Sequence, residues 1–464
     1  MGRKNAPNTF KSRATRTGGN SPRIDQRKRL TVVVRPIAEL KLDDANPRDH
    51  TTDDIHKIAR SISTFGFNVP ILVDANMNVI AGHGRVLAAQ KLGLLEVPTI
   101  RLDHLSAAQA KAYRIADNRI AECSEWNERL LAKSLSELSK LDINFDLDVV
   151  GFDIGEIDLR IQQISDDESP KPDPEDDAPA IIAEAVSHQG DTWILGEHLI
   201  HCGNALDDSS YKDMSENAAL VLTDMPYNVP IDGFASGLGS THHREFPMAS
   251  GEMSDEEFVA FLERACRQLV KHSIDGALHY LFMDWRHLRE LTNVGREVYS
   301  GLQNLCVWVK DNAGMGTFYR GRHEIVLIFK NGQAPHQNYI QLGKYGRNRS
   351  NVWEYPTVRS FSKSGDEENL LKTHPTAKPT RLLADAIMDA SARGQLVLDP
   401  FLGSGSTLIA AQRTSRRCFG VELDPLYGDA TIRRWQTLTG ERAVHLAIGR
   451  TFDEIEADAE ARNG

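Results

Sequence analysis

The sequence predicts an α/β fold: a mostly parallel sheet covered on both faces by helices, preceded by a smaller α+β domain. Three observations carry this expectation. Over residues 185–450, short apolar runs alternate with amphipathic ones, the rhythm of a parallel sheet with crossover helices. A glycine-rich turn, LGSGST, stands between a strand-like and a helix-like run. An acidic, proline-bearing stretch, SDDESPKPDPEDDAP, separates this region from an earlier one with its own strand and helix signals.

Residues 1–29 are polar and basic, with Arg3, Lys4, Lys11, Arg13, Arg16, Arg23, Arg27, Lys28 and Arg29 against the single acid Asp25, and are expected to form a disordered arm. A first domain is expected over 30–160. DDIHKIARSISTFG is an amphipathic helix ending at Gly66, and Ile71–Val73 and Val79–Ile80 are strands joined through Asp74-Ala75-Asn76. Gly82-His83-Gly84-Arg85 opens the next helix, and VPTIRL (97–102) is a further strand. A linker follows over 161–184. The second domain, 185–450, offers strands at 219–224, 277–283, 304–310, 324–330, 395–400 and 417–423. SDEEFVAFLERACRQLVK starts with a serine cap and an acidic first turn, and KPTRLLADAIMDAS is a second good helix.

Composition narrows the function classes. Hydrophobic residues are 41% and charged residues 26%, a globular balance rather than a disordered or fibrous one. No apolar run approaches the roughly 18 to 20 residues of a membrane span, and the basic N-terminus lacks the apolar core of a secretory signal, so a cytoplasmic location is expected. Cys123, Cys202, Cys266, Cys306 and Cys418 form no CxxC pair, which argues against a disulfide framework and a structural zinc site. His242 and His243 have no third ligand spaced nearby, so no metal is expected. The net charge of -11 does not exclude nucleic acid, because the basic residues gather in the arm and much of the acid in the linker.

LVLDPFLGSGSTLIAAQ (396–412) reads as strand, glycine-rich turn and helix. Gly403 and Gly405 remove side chains where backbone must approach a ligand, and the helix-terminal amides with the Ser406 and Thr407 hydroxyls would face it. Glu422 ends the next strand, at an offset that suits a carboxylate accepting from ribose hydroxyls. No lysine follows the glycines, which excludes a Walker phosphate loop. Asp399 favours a cationic or zwitterionic ligand over a pyrophosphate. S-adenosylmethionine, with its ammonium and sulfonium, fits that description.

Asp224-Met225-Pro226-Tyr227 ends a buried run with a carboxylate, a proline and an aromatic ring. TDMPYN resembles the (D/N/S)PP(Y/F/W) signature of amino-methyltransferases, and DPFLGSGST resembles their cofactor loop, which adds Pro400 and Phe401 to the cofactor set. The first motif precedes the second by about 175 residues. That order resembles the permuted beta class of DNA adenine-N6 and cytosine-N4 methyltransferases, over most of residues 186–440. HPTAKP (374–379) resembles the segment before the cofactor loop in that class.

The resemblance implies a Rossmann-like methyltransferase that uses S-adenosylmethionine to methylate an exocyclic amine, adenine N6 first, in a base flipped out of double-stranded DNA. Asp224 and the carbonyl of Met225 would accept the two N–H bonds of the amine, returning density to a nitrogen otherwise delocalised into the ring. Tyr227 would stack on the flipped base. Met225 stands where the family has proline, which loosens the turn but keeps the carbonyl. Thr376 and Lys378 would sit at the methionine end of the cofactor. Asn204, in CGNALD (202–207), would accept from its adenine.

Lys344, Arg347, Arg349 and Arg359, interleaved with Tyr345, Trp353 and Tyr355, are expected to face DNA in a target-recognition region at about 311–372, joined by Arg320 and Arg322. NPRDH (46–50) and VIAGHGRVLAAQKLG resemble the N-terminal ParB/sulfiredoxin-like domain, over roughly 32–120. That resemblance implies a nucleotide site, and Gly82, Gly84 and Arg85 at a helix start form a candidate anion site. No clear helix-turn-helix follows residue 120. The domain pairing resembles methylases of phages and prophages. Candidate partners are double-stranded DNA, a nucleotide at the first domain and a second copy of the chain, with no membrane. Rival readings are cytosine-N4 methylation, and a ParB-like DNA-binding protein whose methyltransferase part is inactive.

Overall fold

A computed structural model of the chain describes residues 30–43, 46–122, 126–139, 141, 145–166, 176, 184–228, 251–311, 318–340, 349–357 and 377–463. The chain divides into two compact units, Met1–Trp126 with Val149–Gly151, and Asn127–Asp148 with Phe152–Gly464.

The first unit contains β1 (Val32–Pro36), α1 (Thr52–Phe65), β2 (Ile71–Val73), β3 (Val79–Ala81), α2 (His83–Lys91), β4 (Glu96–Arg101) and α3 (Ala107–Glu122). Its four strands run in the order β1-β4-β2-β3, parallel between β2 and β4 and antiparallel at both edges. A capping box between Thr51 and Asp54 starts α1, and Gly66 ends it at φ 85. Ile71, Val73, Val79, Val86 and Val97 fill the core. β1 escapes the sequence pattern because VVVRP does not alternate and its three valines stay exposed on an edge strand.

The second unit begins with α4 (Glu128–Ser139) and α5 (Ile154–Asp166), earlier than the expected boundary at 160. The reason is a buried charge: Asp158 of α5 receives Arg393 Nη2 at 2.7 Å and Arg416 Nη2 at 3.0 Å, both from the region around the sheet. Then follow β5 (Thr192–Leu195), β6 (His198–Cys202), β7 (Ala218–Asp224), α6 (Asp255–Lys271), β8 (Ser273–Met283), α7 (Leu288–Val298), β9 (Gly301–Val309), β10 (His323–Lys330) and β11 (Val352–Glu354). The last elements are α8 (Thr380–Ala390), β12 (Leu396–Asp399), α9 (Ser406–Arg413), β13 (Arg417–Glu422), α10 (Pro425–Thr439), β14 (Val444–His445) and α11 (Phe452–Asn463).

These strands make one sheet, ordered β11-β9-β10-β8-β7-β12-β13-β6-β5-β14. Its centre, β8 through β6, is parallel; β10 and β5 run antiparallel to their neighbours. Alternation along β7 sends Leu220 and Leu222 into a layer with α8 and α9, and Val221 into the opposite layer with α6. Burial on both faces is why the strand runs read as continuous apolar stretches. From β7 the chain proceeds outward to β8, and from β12 outward to β13. The boundary between β7 and β12 is therefore the switch point where open α/β sheets form a crevice.

Candidate functional site

Four neighbouring parallel strands, β7, β12, β13 and β6, end at one edge, and the residues that follow them line one cleft. β7 delivers Asp224, Met225, Pro226 and Tyr227. β12 delivers Asp399, Pro400, Phe401 and Gly403, and the start of α9 adds Ser406 and Thr407. Glu422 comes from the end of β13, Asn204 from beyond β6, and Lys378 from just before α8. Residues scattered from 204 to 422 thus meet because parallel strands share a carboxyl end.

On the β12–β13 side the cleft is lined with buried acceptors. Asp399 Oδ1 accepts from Thr223 Oγ1 at 2.6 Å and from the Phe401 amide at 3.2 Å. Glu422 accepts from the amides of Gly403 at 2.7 Å and Asp424 at 2.9 Å. Burial pushes Asp399 up to about 6 and Glu422 up to about 7, against the hydrogen bonds that favour their ionised forms. Asn204 Oδ1 accepts from the Leu206 amide at 3.0 Å. Gly403, at φ 55, lines the cleft.

Gly405 does not line it, contrary to expectation; a Cβ there would meet Thr431 Cγ2 at 2.3 Å, and its φ of 80 caps α9. Its glycine serves turn geometry and the close approach of α10. The sequence reading also misses Arg434. From α10 this buried side chain donates to the Ser404 carbonyl at 2.8 Å and to Ser406 Oγ at 3.2 Å, so it holds the glycine-rich turn in place.

On the β7 side lies a charge cluster. Tyr227 Oη donates to Asp224 Oδ1 at 2.5 Å and reaches Glu324 Oε2 at 3.2 Å. The Lys378 ammonium donates to Asp224 Oδ2 and stands 3.2 Å from Glu324 Oε2, while Lys310 Nζ donates to Glu324 Oε1 at 2.5 Å. Two carboxylates thus face two ammoniums. Burial raises Asp224 even though Lys378 pulls it down. In Glu324 burial is outweighed by its two lysines and the carboxyl is lowered. In Lys378 burial is outweighed by the two carboxylates and the ammonium is raised. Lys378 was expected at the cofactor's methionine end, yet it pairs with the acid of the other motif. Glu324 carries no sequence signal: it joins the site only because β10 pairs antiparallel with β8. Met225 is 1% exposed and packs in the apolar layer that holds α6.

The expected DNA-facing set divides. Arg320 and Arg322 are exposed. Arg349 is not a surface contact: it pairs with Asp385 at 3.2 Å and Asp389 at 2.9 Å on α8 and lies 5.7 Å over the Trp353 ring. Two buried acids on a helix face explain it. Lys344, Arg347, Arg359 and Thr376 lie outside the described residues, as do His242, His243 and Cys123. Among the described residues no three His, Cys, Asp or Glu side chains group as a metal site, and Cys202, Cys266, Cys306 and Cys418 are buried and free.

In the first unit, Gly82 caps α2 at φ 102 with the Arg85 guanidinium folded back on it, and a Cβ on Gly84 would meet His50 Cε1 at 2.9 Å. His83 Nε2 and Arg85 Nε are buried with no hydrogen-bond partner, and burial lowers both groups. Among the described residues no helix is long and apolar enough to cross a membrane.

Comparison with known proteins matches residues 218–433 to the DNA methylase family and 23–118 to the ParB N-terminal domain. Residues 129–189 match the ParB-methyltransferase HTH domain. The last match corrects the expectation that no helix-turn-helix follows residue 120. α5 hides it, because IGEIDLRIQQISD has no basic face and spends Asp158 on interior arginines. The chain is similar to Type II methyltransferase M2.MboI of Moraxella bovis, 28% identical over 52% of this chain and 88% of that protein. It is similar to the ParB-like nuclease domain-containing protein YnaK of Escherichia coli (strain K12), 41% identical over 18% of this chain and 93% of that protein. The crystal structure of an M1.HpyAVI-SAM complex covers 51% of this chain and 98% of that one, at 17% identity and a TM-score of 0.36.

Proposed function

The chain belongs to the ParB-like family through its first unit and carries a DNA methylase domain in its second, and on that footing we propose that it methylates the N6 amino group of adenine in double-stranded DNA, with S-adenosylmethionine as donor and the target base flipped out. One observation carries the reading: the Asp224–Tyr227 turn and the buried carboxylates Asp399 and Glu422 open into a single cleft.

The side chains around Gly403 fit this cofactor. Asp399 and Glu422 are acceptors, suited to hydroxyl and ammonium donors, and the lysine in the cleft has its charge matched by Asp224 and Glu324. A phosphate ligand would meet two carboxylates and no spare cation. In this reading Glu422 holds ribose hydroxyls, Asp399 and the α9 amides hold the amino-acid end, and Asn204 meets the adenine. When bound, the cofactor supplies an electrophilic methyl on a sulfonium.

The chain's own residues then act on the target amine. Asp224 and the Met225 carbonyl accept its two N–H bonds, which pushes density onto nitrogen and favours the tetrahedral geometry needed for attack. Lys378, anchored by Glu324, opposes burial and pulls Asp224 toward its ionised form. Asp224 is also the nearest acceptor for the proton the amine releases once methylated, and its raised affinity for a proton suits that step. Tyr227 supplies the stacking face. The first unit is proposed to bind a nucleotide at Gly82, Gly84 and Arg85.

The test is tritiated methyl transfer from S-adenosylmethionine to unmethylated duplex DNA, followed by nucleoside chromatography. Label in N6-methyladenine is the expected result. Label in N4-methylcytosine would overturn the base assignment, and no label from protein that binds the cofactor would overturn the transfer itself.

A further inference from the structure

A loop at the same sheet edge as Asp224 carries two bare aromatic rings. Phe318 and Tyr319 are 86% and 82% exposed and stack edge to face, with centroids 4.5 Å apart. Rings this exposed usually mark a surface that another molecule covers. Arg320 and Arg322 follow at once, and Arg322 is fixed by its Nε donating to the Lys310 carbonyl at 2.8 Å.

Topology fixes where this loop lies. β10 pairs antiparallel with β8, Ile325 opposite Met283, and β8 pairs parallel with β7, Phe282 opposite Asp224. The chain therefore enters β10 where β7 ends, and Glu324, two residues past Arg322, already touches Tyr227 and Lys378. The segment that carries the rings therefore leads into the strand end at which the cleft opens. Trp285, at the same edge, is 60% exposed but has the Arg286 guanidinium 5.0 Å over its ring. Phe318 and Tyr319 present theirs to solvent.

We propose that Phe318 and Tyr319 form the wedge that enters the DNA stack where the target base leaves it, with Arg320 and Arg322 on the adjoining phosphates. The proposal rests on the flipped-base reading above. Extruding a base bares the faces of its neighbours, and an inserted apolar ring restores stacking whatever the sequence. Flanking arginines hold the backbone around the gap by charge alone. A hydrophobic protein partner would have no such need of two arginines next to the rings.

The experiment compares full-length wild type with Phe318→Ala/Tyr319→Ala in single-turnover methyl transfer. Both proteins are given a duplex that the wild type methylates, and the same duplex with an abasic site opposite the target. On the paired duplex the variant should be slower by about 10- to 100-fold, the range of one or two lost stacking contacts. On the abasic duplex, whose target is already unpaired, it should recover to within about threefold of wild type. 2-Aminopurine at the target position should brighten on binding wild type and stay dim with the variant. Equal loss on both duplexes would overturn the wedge in favour of a general DNA contact. Wild-type rates on the paired duplex would overturn it in favour of another partner for the rings. Absence of transfer by the wild type on either duplex would instead fail the reading beneath it.

Discussion

Two turns in this molecule look alike in sequence and differ in chemistry. Gly82-His83-Gly84-Arg85 and Gly403-Ser404-Gly405-Ser406 each follow a strand and open a helix, and each uses a glycine in the left-handed region as a cap without a side-chain hydrogen bond, at φ 102 and φ 80. Around the first stand His83 and Arg85 with buried, unpartnered nitrogens; around the second stand Asp399 and Glu422. The ligands proposed above differ accordingly, a nucleotide at the first turn and a cationic, hydroxyl-rich cofactor at the second. Helix amides alone favour anions at both. The neighbouring side chains, more than the glycine pattern, select the ligand.

The largest expected difference between the turns is steric. Gly405→Ala adds a left-handed φ penalty to a clash with the buried, β-branched Thr431 side chain, whose Cγ2 would lie 2.3 Å away, and should destabilise the second unit by about 3 kcal/mol or more in urea unfolding. Gly82→Ala meets only the Arg85 guanidinium, a movable group at 3.0 Å, and should cost about 1 kcal/mol. Equal costs would mean that the two turns are built alike after all.

Next comes ligand charge. Asp399→Ala should weaken S-adenosylmethionine binding by about 100-fold in calorimetry, the scale of lost charge-assisted hydrogen bonds, while leaving nucleotide binding by the first unit unchanged. Arg85→Ala should do the reverse. If either substitution moved both affinities, the two sites would not be separate.

The smallest effect is on pH. Burial holds Glu422 at about 7 and Asp399 at about 6, above their ordinary 4.5 and 3.8. Between about pH 4 and pH 7 the folded state keeps protons that the unfolded chain has released, so stability should fall as pH rises and level off above about 7. Each group should change stability by up to about 1.4 kcal/mol per pH unit within that window. Melting temperatures of cofactor-free protein should drop across this window, and Glu422→Gln should flatten the slope. An unchanged slope in Glu422→Gln would remove Glu422 from the explanation.

Asp224, Asp399 and Glu422 were legible as a group because each ends an apolar run, and the ends of parallel strands converge. The parallel sheet and the helices at 254–271 and 380–390 were legible from periodicity and caps. Glu324 was not, since its place depends on which strand β10 pairs with, a long-range choice that no local pattern records. Arg434 and Gly405 act through packing between α9 and α10, equally invisible along the chain. Arg349 was misassigned because a basic, aromatic stretch suggests a surface, while Asp385 and Asp389 draw that arginine inward. α5 escaped because its acid Asp158 turns inward to Arg393 and Arg416, a long-range pairing that no local pattern records.

The most direct measurement is single-turnover methyl transfer by Asp224→Ala, with S-adenosylmethionine binding measured on the same sample. Asp224 is the acceptor through which the cleft is proposed to activate the amine, so the rate should fall by about 1000-fold, the scale of an electrostatic group aimed at developing charge, with the cofactor still bound. A rate within a few fold of wild type would contradict the central assignment and leave Asp224 as a partner for Lys378 and nothing more.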